Sequence, residues 1–409
     1  MTESTIHVPE PTRDAALARL AQFTTHMGHD YAHKRNFDYG SNVDLNAESW
    51  RDSVSRLSPY LRHRLITEQE LLEAAIKAHG SEAADKFTAE VLWRAYFRGW
   101  LEQRPDVWKA YVEERATVTA KFKIAGGLRK SIEKAEQGET GIDAFDHWAR
   151  ELVNTGYLHN HARMWFASIW IFTLKLPWVL GADFFLRHLL DGDAASNTLS
   201  WRWVAGLHTK GKTYLATAEN IEKFSDGRFA PSGLAVEAVA LDEDRNFKLR
   251  PFKAQPIPPK AAKFALLVHE EDCHPESLDL PDVPSLIIAA AAPEAKSDGE
   301  VSENVCNFSL SAVEDAAGRA AKHFGCDIIF WDQGTRLKKI LHDAGLERLL
   351  SPWIPVGPLK DAIGGEILDA GVKWIVRDYD KAIWPLATKG FFPVKKKAPD
   401  ALREIGLEM

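Results

Sequence analysis

Two carboxylates, a turn glycine, an asparagine and two tryptophans lie within the short stretch from Asp191 to Trp203, which reads DGDAASNTLSWRW. A helix in an ordinary hydrophobic core is not expected to contain this mixture, because burying an unpaired carboxylate costs free energy. A buried ligand with an electron-rich ring and a charged tail would contact all of these groups. The stretch therefore predicts a binding site for a charged aromatic cofactor.

Three further segments carry residue types that suit the same kind of ligand. Residues 54–61 (VSRLSPYL) place hydroxyl groups at a predicted helix start, where free N–H groups and the helix dipole favour a phosphate. Residues 90–94 read EVLWR, and residues 154–164 read NTGYLHNHARM. In type, order and spacing, the four segments resemble the flavin domain of the DNA photolyase and cryptochrome family, over roughly residues 15–230.

The resemblance implies a bound FAD. Arg163 and Asp191 would pair beside the isoalloxazine ring, where the guanidinium stabilises the anionic reduced flavin and the acid orients it; the alternative is a structural ion pair between two helices. Asp193 would bond the flavin or its ribose, and Asn197 would face flavin N5 unless it caps a helix. The other predicted cofactor contacts are Tyr31, Val54, Ser55, Arg56, Leu57, Ser58, Arg94, Asn160 and Gly192. Val54 departs from the family threonine and lacks its hydroxyl.

The same resemblance implies a pocket for a pyrimidine dimer flipped out of DNA. Its lining would be Glu90, Trp93, Met164 and Trp203, the alternative being that both tryptophans are core residues. Arg35, His161 and Asn220 match further DNA-contact positions. Many dimer photolyases have arginine where His161 stands, so DNA affinity is expected to be higher near pH 6 than near pH 8, through an imidazole with pKa about 6.5.

Trp201 and Trp178 match the first two members of the family's electron-transfer chain to the flavin. The third member has no counterpart, and Trp165 or Trp170 could end an alternative route; all four could also be packing residues. A second set of side chains could follow DNA phosphates or form a solvated face: Arg62, Arg64, Lys121, Lys123, Arg129, Lys130, Arg202, Lys210 and Lys212.

The resemblance therefore implies a photolyase-like lyase, in which light drives electron transfer from reduced FAD to a flipped pyrimidine dimer. Two alternatives remain open: a cryptochrome-like blue-light receptor that uses the same flavin and a signalling partner, and a flavoprotein with a dark role. The sequence does not predict which antenna chromophore, if any, is bound.

Periodicity predicts how the chain positions these residues. Residues 1–225 read as an all-helical FAD-binding domain, and the proline-rich residues 226–262 read as a linker. Residues 263–409 alternate short apolar strands with helices, which predicts a doubly wound parallel α/β domain. The predicted strands are 264–268, 286–291, 327–331, 353–356 and 374–376. Ordinary photolyases carry such an antenna domain before the flavin domain, so the chain looks circularly permuted.

The amino-acid composition limits which classes of protein this chain can belong to. The formal net charge is −7, so DNA must be bound by a local basic patch. Three cysteines cannot form a disulfide framework or a four-cysteine iron–sulfur cluster, which favours a reducing cytoplasm. No leader peptide, membrane span or metal site is predicted.

Overall fold

Helical periodicity fills the first half of the chain, and the computed structural model folds this half as helices α1–α12. The structure describes residues 8–40, 54–122, 126–256 and 263–408. The helices are α1 (Arg13–Thr24), α2 (His29–Lys34), α3 (Ser58–Arg62), α4 (Glu68–Ala83), α5 (Asp85–Glu102), α6 (Pro105–Phe122), α7 (Gly126–Gln137), α8 (Asp143–Thr155), α9 (Asn160–Ser168), α10 (Trp178–His188), α11 (Ala194–Val204) and α12 (Ala218–Phe224). A π-helical turn, Ile169–Thr173, continues α9.

A five-stranded parallel sheet with helices follows, as the alternating pattern predicts. Its elements are β1 (Ala265–His269), β2 (Leu286–Ala290), α13 (Glu303–Phe324), β3 (Asp327–Phe330), α14 (Leu337–Asp343), β4 (Leu349–Pro352), α15 (Pro358–Asp369), β5 (Lys373–Ile375), α16 (Asp378–Ile383) and α17 (Phe391–Arg403). The strand order is β3-β2-β1-β4-β5, with every pairing parallel. The chain therefore reverses its winding direction between β1 and β4.

The two faces of the sheet belong to different hydrophobic clusters, because successive side chains of a strand point to opposite faces. Leu267 and Ile288 pack in a cluster with α14 and α15. Leu266 and Ile287 pack in a cluster that continues into α13, α16 and α17 and also into α1, α4 and α5. The sheet and the first helices thus share a core, while the boundaries 1–225, 226–262 and 263–409 stay a prediction.

Residues 226–256 contain no helix or strand and are largely exposed. Several contacts hold this segment to the surface. Glu243 accepts two hydrogen bonds from Arg202, at 3.0 and 2.6 Å, and Leu241 N donates to the Ala205 carbonyl at 3.0 Å. Phe252 packs edge-on against Trp384, with ring centroids 5.1 Å apart. In the part of the chain that is described, no helix is long and apolar enough to cross a membrane.

The prediction of the fourth strand was wrong by four residues. The strand covers Leu349–Pro352, all of them buried, whereas residues 353–356 were expected to form it. Trp353 instead begins the loop that follows, and its indole donates to Glu102 at 3.1 Å. The short apolar run at 353–356 suggested the strand, but the preceding four residues, all buried, pair between β1 and β5 in the interior of the sheet.

Candidate functional site

Arg163 and Asp191 meet in a two-pronged ion pair. The Nη1 and Nη2 atoms of Arg163 donate to the two carboxylate oxygens of Asp191 at 3.0 and 2.8 Å. Its Nε donates to the Leu158 carbonyl at 2.9 Å, which fixes the plane of the guanidinium. Burial alone would lower the pKa of Arg163, but the Asp191 carboxylate outweighs burial and raises that pKa above its ordinary value. The pair therefore fixes a permanent cation at this position.

A glycine turn brings the two partners together. α8 ends at Gly156, whose φ of 67° lies in the left-handed region that glycine adopts without strain. A Cβ at this position would collide with Leu190. Leu190 N donates to the Gly156 carbonyl at 2.9 Å, so the turn before α9 is tied to the residue that precedes Asp191.

The start of α11 carries the next two predicted contacts. Asp193 caps the helix, since its Oδ2 accepts from Ser196 N at 2.9 Å, while its Oδ1 accepts from Arg98 Nε at 3.0 Å. Asn197 donates its amide to the Ala182 carbonyl at 2.8 Å, which fixes the orientation of its side chain. The interpretation of Asn197 as a helix cap was wrong, because Asp193 has that role. The contact of Asn197 with flavin N5 stays a prediction.

The predicted phosphate loop borders the same region. Ser55 Oγ accepts from Leu57 N at 3.3 Å, which closes the turn that leads to Ser58 at the start of α3. Arg56 has a φ of 53° and places its guanidinium 4.7 Å from the centre of the Tyr157 ring. Arg163 lies 5.5 Å from the centre of that ring. The loop and the ion pair therefore meet at one aromatic side chain.

Val54 and Tyr157 share a small pocket in the same place, which is lined by Asp38, Tyr39, Gly40, Val54, Arg56, Glu151, Tyr157 and His159. Among the other predicted contacts, Asn160 is exposed at the start of α9, and Tyr31 is buried edge-on against Phe87, 5.2 Å away.

Arg94 forms an ion pair and a hydrogen bond with other residues of the protein. It pairs with Glu68 at the start of α4, and its Nη2 donates to the Arg62 carbonyl at 3.3 Å. Burial, followed by the neighbouring Arg98, lowers the pKa of Arg94 to about 10. The predicted role of Arg94 in the phosphate and adenine shell stays a prediction.

Three residues lie behind the turn 191–193: Arg62, Arg98 and Glu271. Arg98 and Glu271 were missed in the sequence analysis, and Arg62 was expected to contact DNA phosphates instead. They come from α3, α5 and the loop after β1, and no local pattern connects them. The available signals were weak: an acidic run, Glu270 to Asp272, directly after an apolar strand, and arginines inside otherwise apolar helices.

Two residues of the predicted lesion pocket lie on α5. Glu90 pairs with Arg35, which was predicted as a separate DNA contact. Burial raises the pKa of Glu90 above its ordinary value, and the nearby Arg35 opposes this. Trp93, half-buried, stacks on Phe391 of α17 at 3.8 Å and 9° between ring planes. Phe391 was also missed in the sequence analysis. Its ring, from the C-terminal part of the chain, covers one face of the predicted stacking surface.

The remaining predicted pocket and DNA residues lie on α9, α11 and α12. Met164 and Trp203 are half-buried, and Trp203 stacks against Tyr214 with ring centroids 5.5 Å apart. Asn220 Oδ1 accepts from Trp165 Nε1 at 2.9 Å, which leaves the amide of Asn220 to donate elsewhere. Burial lowers the pKa of His161 below its ordinary value, so this side chain is neutral near pH 7.

The tryptophans of the predicted electron-transfer route are buried. Trp201 packs edge-on against Trp170, with ring centroids 6.3 Å apart, and Gly181 leaves the space that the Trp201 ring fills. Trp178 packs against Tyr111 at 5.7 Å. The contact with Trp170 fits the alternative route considered for the missing third member.

The predicted basic patch needs a correction. Arg62, Arg64 and Arg202 are buried and paired with carboxylates, because a buried guanidinium requires compensating charge, so they cannot follow DNA phosphates. The residues that remain exposed are Lys121, Arg129, Lys130, Lys210 and Lys212. Lys123 lies outside the described residues.

Comparison with known proteins shows what this part of the chain resembles. Residues 87–231 match the family model described as the FAD binding domain of DNA photolyase, and this range includes Glu90, Arg163, Asp191 and Asn197. Residues 87–231 are therefore similar to the FAD-binding domain of DNA photolyases. The recognised region thus runs from α5 to the end of α12.

Curated relatives are deoxyribodipyrimidine photo-lyases. That of Streptomyces griseus is 34% identical over 159 residues, which cover 39% of this chain and 33% of the relative. One from Thermus thermophilus is 32% identical over 217 residues, covering 51% and 46%. The chain therefore spans between a third and about half of the length of the curated relatives it matches.

The solved structures that resemble this chain include a photolyase and a cryptochrome. A class III photolyase from Agrobacterium tumefaciens has 25% identity and a TM-score of 0.43, with 53% of this chain and 43% of that chain covered. A cryptochrome from Synechocystis has 22% identity and a TM-score of 0.42, with the same coverage.

The side chains present fit a flavin dinucleotide. Arg163 is a fixed cation, 24% exposed, that suits the electron-rich edge of the ring, and the Asn197 oxygen suits a protonated ring nitrogen. Arg56 and the hydroxyls of Ser55 and Ser58 supply a cation and donors suited to phosphates. This donor set matches both the ring and the tail of FAD.

Proposed function

We propose that this protein is a photolyase-like flavoprotein that splits pyrimidine dimers in DNA with light. Bound FAD, in its reduced form, supplies the electron that opens the dimer and takes it back afterwards. The observation that carries the proposal is the Arg163–Asp191 pair, which joins two separate flavin segments inside the matched range. Three unpaired cysteines fit a reducing compartment, and we place the protein in the cytoplasm.

The chain's own residues prepare the cofactor. Arg163 offsets negative charge on the reduced ring, and Asp191 keeps the guanidinium in one orientation. Asn197 offers an oxygen to the ring nitrogen that carries a proton. Arg56 and Ser55 hold the phosphates. None of these groups has to move when charge develops, which makes the stabilisation effective.

The α5 face would hold the flipped lesion. Because the pKa of Glu90 is raised, a larger share of this acid is protonated, and a protonated carboxyl can donate a hydrogen bond to a carbonyl on the edge of a thymine. Trp93 is half-buried, and the exposed part of its indole would stack on the lesion. Arg35, Asn220 and the exposed lysines would contact the DNA backbone.

The test is light-dependent loss of dimers from an irradiated oligonucleotide by the fully reduced protein. Glu90→Leu removes the hydrogen-bonding group, and repair should slow about tenfold, the effect of one lost hydrogen bond of ~1–1.5 kcal/mol. Glu73→Leu, an exposed change on α4, is the matched control and should repair at the wild-type rate.

The second candidate, a cryptochrome-like receptor, is favoured by two observations: Arg35 already pairs with Glu90, and Phe391 covers one face of Trp93. Absence of dimer loss with FAD fully reduced, together with equal affinity for damaged and undamaged DNA, would move the conclusion to this receptor.

A further inference from the structure

We infer that Glu271, in the loop after β1, is a positioning residue for the flavin site. Its carboxylate orients two arginines that hold the turn 191–193, called here the aspartate turn. The inference rests on the proposed flavin contacts of this turn and makes FAD binding depend on the sheet part of the chain.

The first connection runs through Arg62 at the end of α3. Its Nη2 donates to Glu271 Oε1 at 2.7 Å, and its Nε donates to the Gly192 carbonyl at 3.1 Å. A third donor, Nη1, binds the Glu270 carbonyl at 2.9 Å. The guanidinium is 3% exposed, so its planar fork is fixed between the β1 loop and the aspartate turn.

The second connection runs through Arg98 on α5. Its Nη2 donates to the other oxygen of Glu271 at 2.7 Å, and its Nε donates to Asp193 Oδ1 at 3.0 Å. Asp193 in turn caps α11, the helix that carries Asn197. One carboxylate therefore bridges two arginines, and each arginine contacts a different residue of the aspartate turn.

Charge balance explains why the bridge matters. Arg62 and Arg98 bring two positive charges into a buried region, and Glu271 and Asp193 bring two negative charges. Burial would raise the pKa of Glu271, but the two arginines outweigh it and lower the pKa, so the residue is charged at neutral pH. Glu270 also lies 3.7 Å from Arg62, so removal of the Glu271 charge makes the buried cluster next to the turn that carries Asp191 and Asp193 more positive by one charge.

Glu271→Gln tests the inference because it keeps the shape and removes the charge. FAD affinity, measured by equilibrium dialysis of the full-length protein, should fall about tenfold or more. The midpoint potential of the bound flavin should rise, since the local charge becomes more positive and favours the reduced, anionic ring. A purely structural role would lower the thermal midpoint and leave the flavin potential unchanged.

Arg62→Lys is the second variant. Lysine retains the positive charge but lacks the fork that spans Glu271 and Gly192. We expect this variant to bind FAD more weakly and to leave the midpoint potential of the flavin unchanged. It therefore distinguishes the effect of the arginine's geometry from the effect of its charge. It also tests the inference if Glu271→Gln does not fold.

Glu276→Gln is the matched control. Glu276 pairs with Arg319 within the sheet part, just beyond the same loop, and both partners come from residues after 263. This variant should bind FAD like the wild type. Wild-type affinity and potential in folded Glu271→Gln, or wild-type affinity in Arg62→Lys, would overturn the inference. A wild-type protein that binds no FAD would instead refute the proposed function.

Discussion

Trp201 is the single residue on which light-driven reduction of the flavin should depend most. Its indole is buried and packs edge-on against Trp170 at 6.3 Å and Phe185 at 5.1 Å. Trp201→Phe keeps an aromatic ring and removes the easily oxidised indole. Photoreduction, followed as bleaching of the oxidised-flavin band under blue light with reductant, should slow about tenfold or more, as for a barrier raised by ~1.4 kcal/mol.

The control is Trp148→Phe, which removes a fully buried indole that stacks on Trp165, 5.4 Å away, and matches no predicted electron donor. It should photoreduce at the wild-type rate. Equal rates in wild type and Trp201→Phe would mean that electrons reach the flavin by another route, and Trp170→Phe would then be the next variant to measure.

His161 shows how burial changes a prediction made from residue type. An imidazole of ordinary pKa, about 6.5, would gain charge between pH 8 and pH 6. Burial lowers the pKa of His161, so the side chain stays neutral through most of this range. DNA affinity should therefore be nearly constant from pH 8 to 7, with the part that depends on His161 increasing only below pH 6.5.

Fluorescence anisotropy with a labelled, dimer-containing oligonucleotide at constant ionic strength measures this dependence. His161→Gln cannot take up the proton and should lack the increase at acidic pH. An increase in affinity that is already half complete at pH 6.5 and that His161→Gln abolishes would show that the imidazole titrates at its ordinary pKa in the protein.

At the scale of elements, α17 contributes to the pocket in a way that only the folded chain reveals. Phe391 stacks on Trp93 at 3.8 Å and is 4% exposed, whereas its neighbour Phe392 is 77% exposed. Phe391→Leu keeps apolar volume but loses the flat partner that fixes the Trp93 ring. Because base stacking on an aromatic side chain contributes about 1–3 kcal/mol, a loosely held Trp93 should weaken lesion binding about three- to tenfold.

Phe392→Leu is the matched control on the same helix and should bind lesion DNA like the wild type. Both variants should retain FAD. Equal lesion affinity in Phe391→Leu and wild type, measured by competition between damaged and undamaged oligonucleotides, would mean that Phe391 only covers the indole.

Local patterns explain which elements could be predicted. The EVLWR segment on α5 and the segments around Arg163 and Asp191 each carry their chemistry within a few neighbouring residues, and the structure joins Arg163 to Asp191. The positions of Phe391 and Glu271 depend on packing between distant elements, which no short pattern encodes. β4 was misplaced for a related reason: the neighbouring apolar run 353–356 looked like a strand, but pairing with β1 and β5 selects residues 349–352.

At the scale of the whole molecule, the helical part and the sheet part are joined in two ways. Residues 226–256 connect them along the surface, and within this segment Val236 is 89% and Val239 is 76% exposed. A shared hydrophobic cluster and the buried ion pairs of Arg62 and Arg64 connect them through the interior. The covalent connection is thus the more accessible of the two.

Limited proteolysis should therefore cut first between residues 226 and 256, where no helix or strand protects the backbone. The two fragments should remain together in size-exclusion chromatography, because the hydrophobic cluster and the ion pairs persist after the cut. The nicked complex should also keep its FAD, since Arg62 and Arg98 still connect Glu271 to the aspartate turn. Mass spectrometry locates the cut, and the flavin absorbance of the eluted complex reports retention. Cleavage first inside α5 or the sheet would contradict the predicted boundary, whereas fragments that separate without denaturant would show that the interior contacts do not hold the two parts together.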